Sequence, residues 1–180
     1  MSSDLDALVE SVRLSLHAPS PAACDQLDSA VATFALTYSA HPPAALFAAV
    51  HATRSLVASA MSSAPETLAV RMMDAAGWLS ALLGNLSYHL DARPAAATHW
   101  AAAAHLAAAV DDRRLTAWTR GAQAMLARAD GDPSSALDYA NDGLANAADP
   151  TQRAQLLAWG VLPSLAELGR ESDAAEALGQ

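Results

Sequence analysis

The sequence predicts an all-α protein, and three observations carry that expectation. The chain of 180 residues is 53% hydrophobic, yet alanine rather than large side chains supplies the excess. Alanine is the strongest helix former and lets helices approach closely. Aromatic residues make up only 5% of the chain, and β-branched residues are sparse, which leaves little from which to build sheets. Third, Trp78, Trp118 and Trp159 recur at spacings of 40 and then 41 residues, each inside a similar segment: Gly77-Trp78-Leu79, Ala117-Trp118-Thr119 and Ala158-Trp159-Gly160. Recurrence at that length, with helical patterning inside each unit, is the mark of stacked helix pairs. About nine helices joined as antiparallel hairpins are expected.

The elements follow in order. Asp4 to His17 reads as a first helix with Leu5, Leu8, Val9, Val12 and Leu16 on one side. Ser20-Pro21 opens the second, serine as cap and proline at the first helical position. It buries Leu27, Val31, Phe34 and Tyr38 and ends before His41-Pro42-Pro43, because a residue preceding proline is pushed out of the α region. The third helix, Ala44 to Met61, carries Leu46, Phe47, Val50, Leu56 and Val57. Ser62 to Glu66 opens the fourth and longest, to about Asp91, with Leu68, Met72, Ala75, Leu79, Leu82, Leu86 and Leu90 as its core stripe.

After the turn Ala92-Arg93-Pro94, the fifth helix runs to Val110 and is expected to place Ala97, Trp100 and Ala104 inward. Asp111-Asp112 favours the positive end of the sixth, whose buried face is Leu115, Ala122, Leu126 and Ala129. Asp130 to Ser134 is the next turn, and the seventh helix buries Ala136, Leu137 and Ala140. Asp149-Pro150 introduces the eighth, with Leu156, Leu157, Val161 and Leu165, in which Pro163 is expected to produce a kink or an early stop. A short helix ending at Gln180 closes the chain. No linker or low-complexity stretch divides the sequence, so one continuous domain over 1–180 is expected, with N-terminal helices over 1–63 and the clearest repeats over 64–180.

Charge and chemistry narrow the function. The formal net charge is −9, and all ten basic residues are arginine. Such a chain lacks the basic footprint that grips phosphate backbones, so direct nucleic-acid binding is not expected. Without lysine there is no Schiff-base chemistry and no Walker-type loop. The single cysteine, Cys24, allows no internal disulfide, and the acidic first residues form no secretory signal, which fits the cytoplasm. The alanine-rich stretch from Ala101 to Val110 is interrupted by His105 and falls short of a membrane span. The six histidines show no H-x-x-x-H spacing, so neither a metal nor another cofactor is expected. Cys24 beside Asp25 is a poor nucleophile, since a neighbouring carboxylate raises a thiol's pKa.

Gly84 and Ala124 on first helices, Ala92 and Gly131 at turns, and Ala97 and Ala136 on second helices form a pattern that resembles the tetratricopeptide repeat over about 71–179. The resemblance implies a tetratricopeptide-like right-handed solenoid whose first helices line a concave groove. More narrowly, Tyr38-Ser39-Ala40-His41-Pro42-Pro43, Gly77-Trp78-Leu79-Ser80 and Gln123-Ala124-Met125-Leu126 are similar to segments of the C-terminal sensor region of actinomycete helix-turn-helix regulators of the XRE type. The helix-turn-helix domain of those regulators has no counterpart here. The resemblance implies ligand sensing linked to transcriptional regulation or secondary metabolism, without DNA binding.

Beside the core stripe of the fourth helix runs a second line: Arg71, Asp74, Trp78, Asn85, Tyr88 and His89. The sixth helix repeats it as Arg114, Trp118, Met125 and Arg128, and Trp159 follows in the eighth. If the repeats stack in register, these residues floor one groove, apolar at the indoles and polar at its edges. Its expected ligand is a peptide, a protein segment or a small molecule. Two bland readings stand beside this: the indoles pack between repeats, or Arg71 merely pairs with Asp74 on the helix surface. Two other functions stay open. One is a small cyclase or lyase using Asp74 or His89 as acid or base. The other is a homodimer formed through the alanine-rich faces.

Overall fold

The computed structural model describes residues 2–178, and every regular element among them is helical. The order is α1 (Ser2–Leu16), α2 (Pro21–Leu36), a 3-10 turn (Tyr38–Ala40), α3 (Pro43–Met61), α4 (Glu66–His89), α5 (Arg93–Val110), α6 (Arg113–Ala129), α7 (Pro133–Asn146), α8 (Pro150–Leu156), a π turn (Leu157–Val161), α9 (Leu162–Glu167) and α10 (Glu171–Leu178). With the run from Pro150 to Glu167 taken as one interrupted helix, that makes nine. The expected end of the last helix at Gln180 lies outside the described residues.

The helices start where the sequence supplies caps. The Ser20 side chain accepts from the Ala23 amide, Asp112 from Leu115, Asp132 from Ser135 and Asp149 from Gln152, at 2.8–3.2 Å. Each cap satisfies an amide that helix geometry leaves without a partner, a contribution of about 1 kcal/mol.

Packing divides the chain into two compact units, Met1–Val110 and Asp111–Gln180. In the first, α4 packs against α2, α3 and α5. This unit holds most of the bulky buried side chains: Leu27, Phe34, Leu46, Met72, Leu79, Leu83, Leu86 and Trp100 are all fully buried. Trp100 reaches from α5 onto α4 at Gly84, where a Cβ atom would sit 2.3 Å from the indole. In the second unit the core is smaller in every sense, with Ala124, Ala136, Ala140, Leu137, Val161 and Leu165 packed together.

The recurrence read in the sequence has a local structural form. The α4–α5 turn puts Asp91 at φ 58° and closes with the Ala92 amide donating to the Ser87 carbonyl at 2.8 Å. The α6–α7 turn puts Gly131 at φ 81° and closes with the Asp132 amide on the Ala127 carbonyl at 2.9 Å. The α9–α10 turn repeats this with Gly169 at φ 68° and the Arg170 amide on the Leu165 carbonyl, again 2.9 Å. All three are left-handed C-terminal stops of the Schellman type.

Several expected faces shift. The inward face of α5 is Ala96, Trp100, Ala103 and Ala107; Ala97 is exposed and Ala104 only half-buried. A helix made of alanine has almost no hydrophobic contrast, so periodicity cannot fix its rotation. The residue equivalent to Ala136 is accordingly Ala96, both fully buried, and not Ala97. Leu90 and Ala129, placed at the ends of core stripes, are exposed because each lies in the last residues before its turn. The disturbance expected at Pro163 takes the form of the π turn Leu157–Val161, after which the helix continues to Glu167.

Candidate functional site

The residues proposed from the α4 stripe share one feature of burial. Arg71, Asp74, Trp78, Asn85 and Tyr88 are all half-buried, while Ala81 between them is buried and His89 at the helix end is exposed. On α6, Trp118, Met125 and Arg128 are half-buried and Arg114 is exposed. A spacing of three and four residues keeps each set on one side of its helix. Half-burial separates them from the neighbouring core stripe, where Leu79, Leu83 and Leu86 have no exposure.

Trp78 and Trp118 each stand 13 residues before the left-handed residue of their turn, Asp91 and Gly131, but Trp159 stands only 10 before Gly169. The third indole is therefore out of register, and its place in the repeat is taken by Leu156. That leucine is buried, and its Cδ2 atom lies 2.8 Å from where a Cβ on Gly143 would be. Trp159 is 59% exposed within the π turn. Counting between tryptophans concealed this, because a third unit two residues shorter between its turns and an indole three positions later in it nearly cancel.

Comparison with known proteins adds no relative: no family model, curated protein or solved structure matches the chain.

Two of the proposed groove arginines have structural work. Arg71 pairs with Asp25 at 2.8 Å and Asp28 at 2.5 Å on α2, which corrects the surface pair with Asp74 as its main ionic contact. Arg128 pairs with Glu167 of α9, its Nε donating at 3.0 Å. A second nitrogen reaches the Trp159 carbonyl at 3.5 Å, the acceptor that Pro163, having no N–H, leaves without its helical donor. The Glu167 carboxyl is held below its ordinary range by the hydrogen bond from Arg128.

Asp74 and His89 lie 15 residues apart on α4, about 22 Å at 1.5 Å per residue, so they cannot serve one reacting atom as an acid–base pair. His89 instead packs its ring against Tyr38 and Tyr88, at centroid distances of 6.0 and 6.1 Å. Tyr88 in turn lies 6.0 Å from Trp100. Cys24 is buried, and burial first of all pushes its thiol up, away from the thiolate form. Trp100, outside the evenly spaced trio, is the one tryptophan that builds the core. The sequence already placed it inward on the fifth helix, and the structure seats it over Gly84.

Proposed function

We propose that the protein is a non-catalytic, tetratricopeptide-like binding module that recognises a peptide, a protein segment or a small metabolite on its first-helix stripes. One observation carries the reading. A half-buried indole recurs at the same distance from the same type of turn on α4 and α6, with half-buried Asp74 and Asn85 on its side of α4 and exposed Arg114 on its side of α6. Indoles left half in water, on helices whose cores are otherwise closed, are the residue type that dominates recognition surfaces.

Binding would work within each unit by covering the apolar ring face, with Asn85 beside Trp78 in the first unit, or Arg114 beside Trp118 in the second, holding a polar end. At about 25 cal/mol per Å2, removing roughly 80 Å2 of apolar surface from water contributes about 2 kcal/mol, near 30-fold in affinity. Native mass spectrometry of the protein taken from its own cells identifies the retained species, and titration of that species into variants tests the site. Trp78→Ala or Trp118→Ala is expected to weaken binding about 30-fold with helicity intact. Parent-like affinity in both variants would refute the assignment.

A further inference from the structure

We propose that Arg54, His51 and His99 of the first unit form an oxyanion site that takes the carboxylate or phosphate group of a small ligand, with Phe47 as its apolar wall. Phe47, His51 and Arg54 follow one another on α3 at spacings of four and three residues, immediately beside the buried line of Leu46, Val50 and Val57. His99 comes from α5. The Phe47 ring joins the two helices: it stacks on His51 at 5.9 Å and 16°, and meets His99 edge-on at 6.0 Å and 66°. Ser80 of α4, fully buried, accepts the Arg54 Nε hydrogen at 2.6 Å and donates its own to the Ala76 carbonyl. The guanidinium is thus anchored through Nε, and its two terminal nitrogens form the fork that suits an oxyanion.

Charge is the decisive observation. Arg13, Arg71, Arg120, Arg128 and Arg170 each pair with a carboxylate. Among the described residues, none pairs with half-buried Arg54, in a chain of net charge −9. Two imidazoles stand beside that cation, and among the described residues no ion pair ties the cluster to a carboxylate. Burial, followed by the positive charges of Arg54 and His51 from α3, holds the His99 imidazole below its ordinary pKa; from α4 the cluster receives the neutral hydroxyl of Ser80. A bound oxyanion reverses that field and draws a proton onto His99. Affinity therefore rises as pH falls toward and below about 6.5.

The site uses a different face of α4 from the Trp78 stripe, since Ser80 lies about 200° around the helix from Trp78, and it stands without the reading above. The test titrates the intact protein with inorganic phosphate, benzoate and, at matched ionic strength, chloride, following the imidazole NMR signals of His51 and His99. Saturable shifts are expected with phosphate, with benzoate or with both; the stronger of the two identifies the oxyanion. Binding of benzoate, a monoanion throughout, should tighten at least threefold between pH 8 and pH 6. Arg54→Gln should weaken it at least tenfold, and His51→Ala, at an exposed position, should weaken it without changing the thermal melt. If Arg54→Gln does not fold, His51→Ala decides. Shifts that track ionic strength alike for all three anions would overturn the proposal, as would parent-like binding by the folded variants.

Discussion

Gly84 shows how a single atom sets the α4–α5 distance. A Cβ there would lie 2.3 Å from the Trp100 indole, a separation that packed side chains do not adopt. Gly84→Ala is expected to cost about 1–3 kcal/mol through overpacking, despite alanine's better helix propensity. Urea unfolding measures this, and an equal or higher midpoint would show that the indole has room to move. The equivalent pair in the α6–α7 hairpin is Ala124 and Ala140, both fully buried. There the space an indole would need is filled by the next helix: a Cβ on Gly160 would be 2.7 Å from the Ala140 Cβ. One unit closes its hairpin with a tryptophan over a glycine, the other with small residues and a third helix.

At the scale of elements, the hairpin turns are the firmest part of the repeat. Gly131 and Gly169 stand where a left-handed residue is required, but the first turn uses Asp91 at φ 58°. An L-residue in that region costs roughly 1–2 kcal/mol, which glycine avoids. Asp91→Gly is therefore expected to raise the thermal midpoint, by about 1 kcal/mol of stability; a scanning melt that falls instead would mean that the aspartate side chain holds the turn. Caps, prolines and turn residues made these boundaries legible in the sequence, since Ser20, Asp112, Asp132 and Asp149 each name the amide they satisfy. The rotation of α5 was not legible. Its sequence, Arg93 to Val110, offers only Leu106 and the terminal Val110 as larger apolar residues among ten alanines after Trp100 is set aside, and such a helix reads alike from neighbouring faces. The site residues divide in the same way. The α4 and α6 stripes follow from spacing, whereas the Arg54 cluster joins three helices and becomes visible only once Phe47 brings α3 to α5.

For the whole molecule, the two units are unequal in what holds them. The first closes over Phe34, Trp100 and a file of leucines; the second is richer in buried alanine, with Leu115, Leu126, Leu137, Leu156, Val161 and Leu165 as its larger buried residues. The even spacing of three tryptophans suggested one surface repeated three times. Measured from the turns, two of them recur and the third does not, and the tryptophan that matters for cohesion is the fourth. The indoles thus differ in burial: Trp100 is core, while Trp78 and Trp118 are half-buried, the pair proposed as recognition surface. Comparative unfolding of Trp100→Ala, Trp78→Ala and Trp118→Ala tests that separation most directly. Trp100→Ala should lose about 3–5 kcal/mol, while the other two should lose about 1 kcal/mol or less, the usual cost away from a core. Losses at Trp78 and Trp118 as large as that at Trp100 would make all three indoles core and contradict the account.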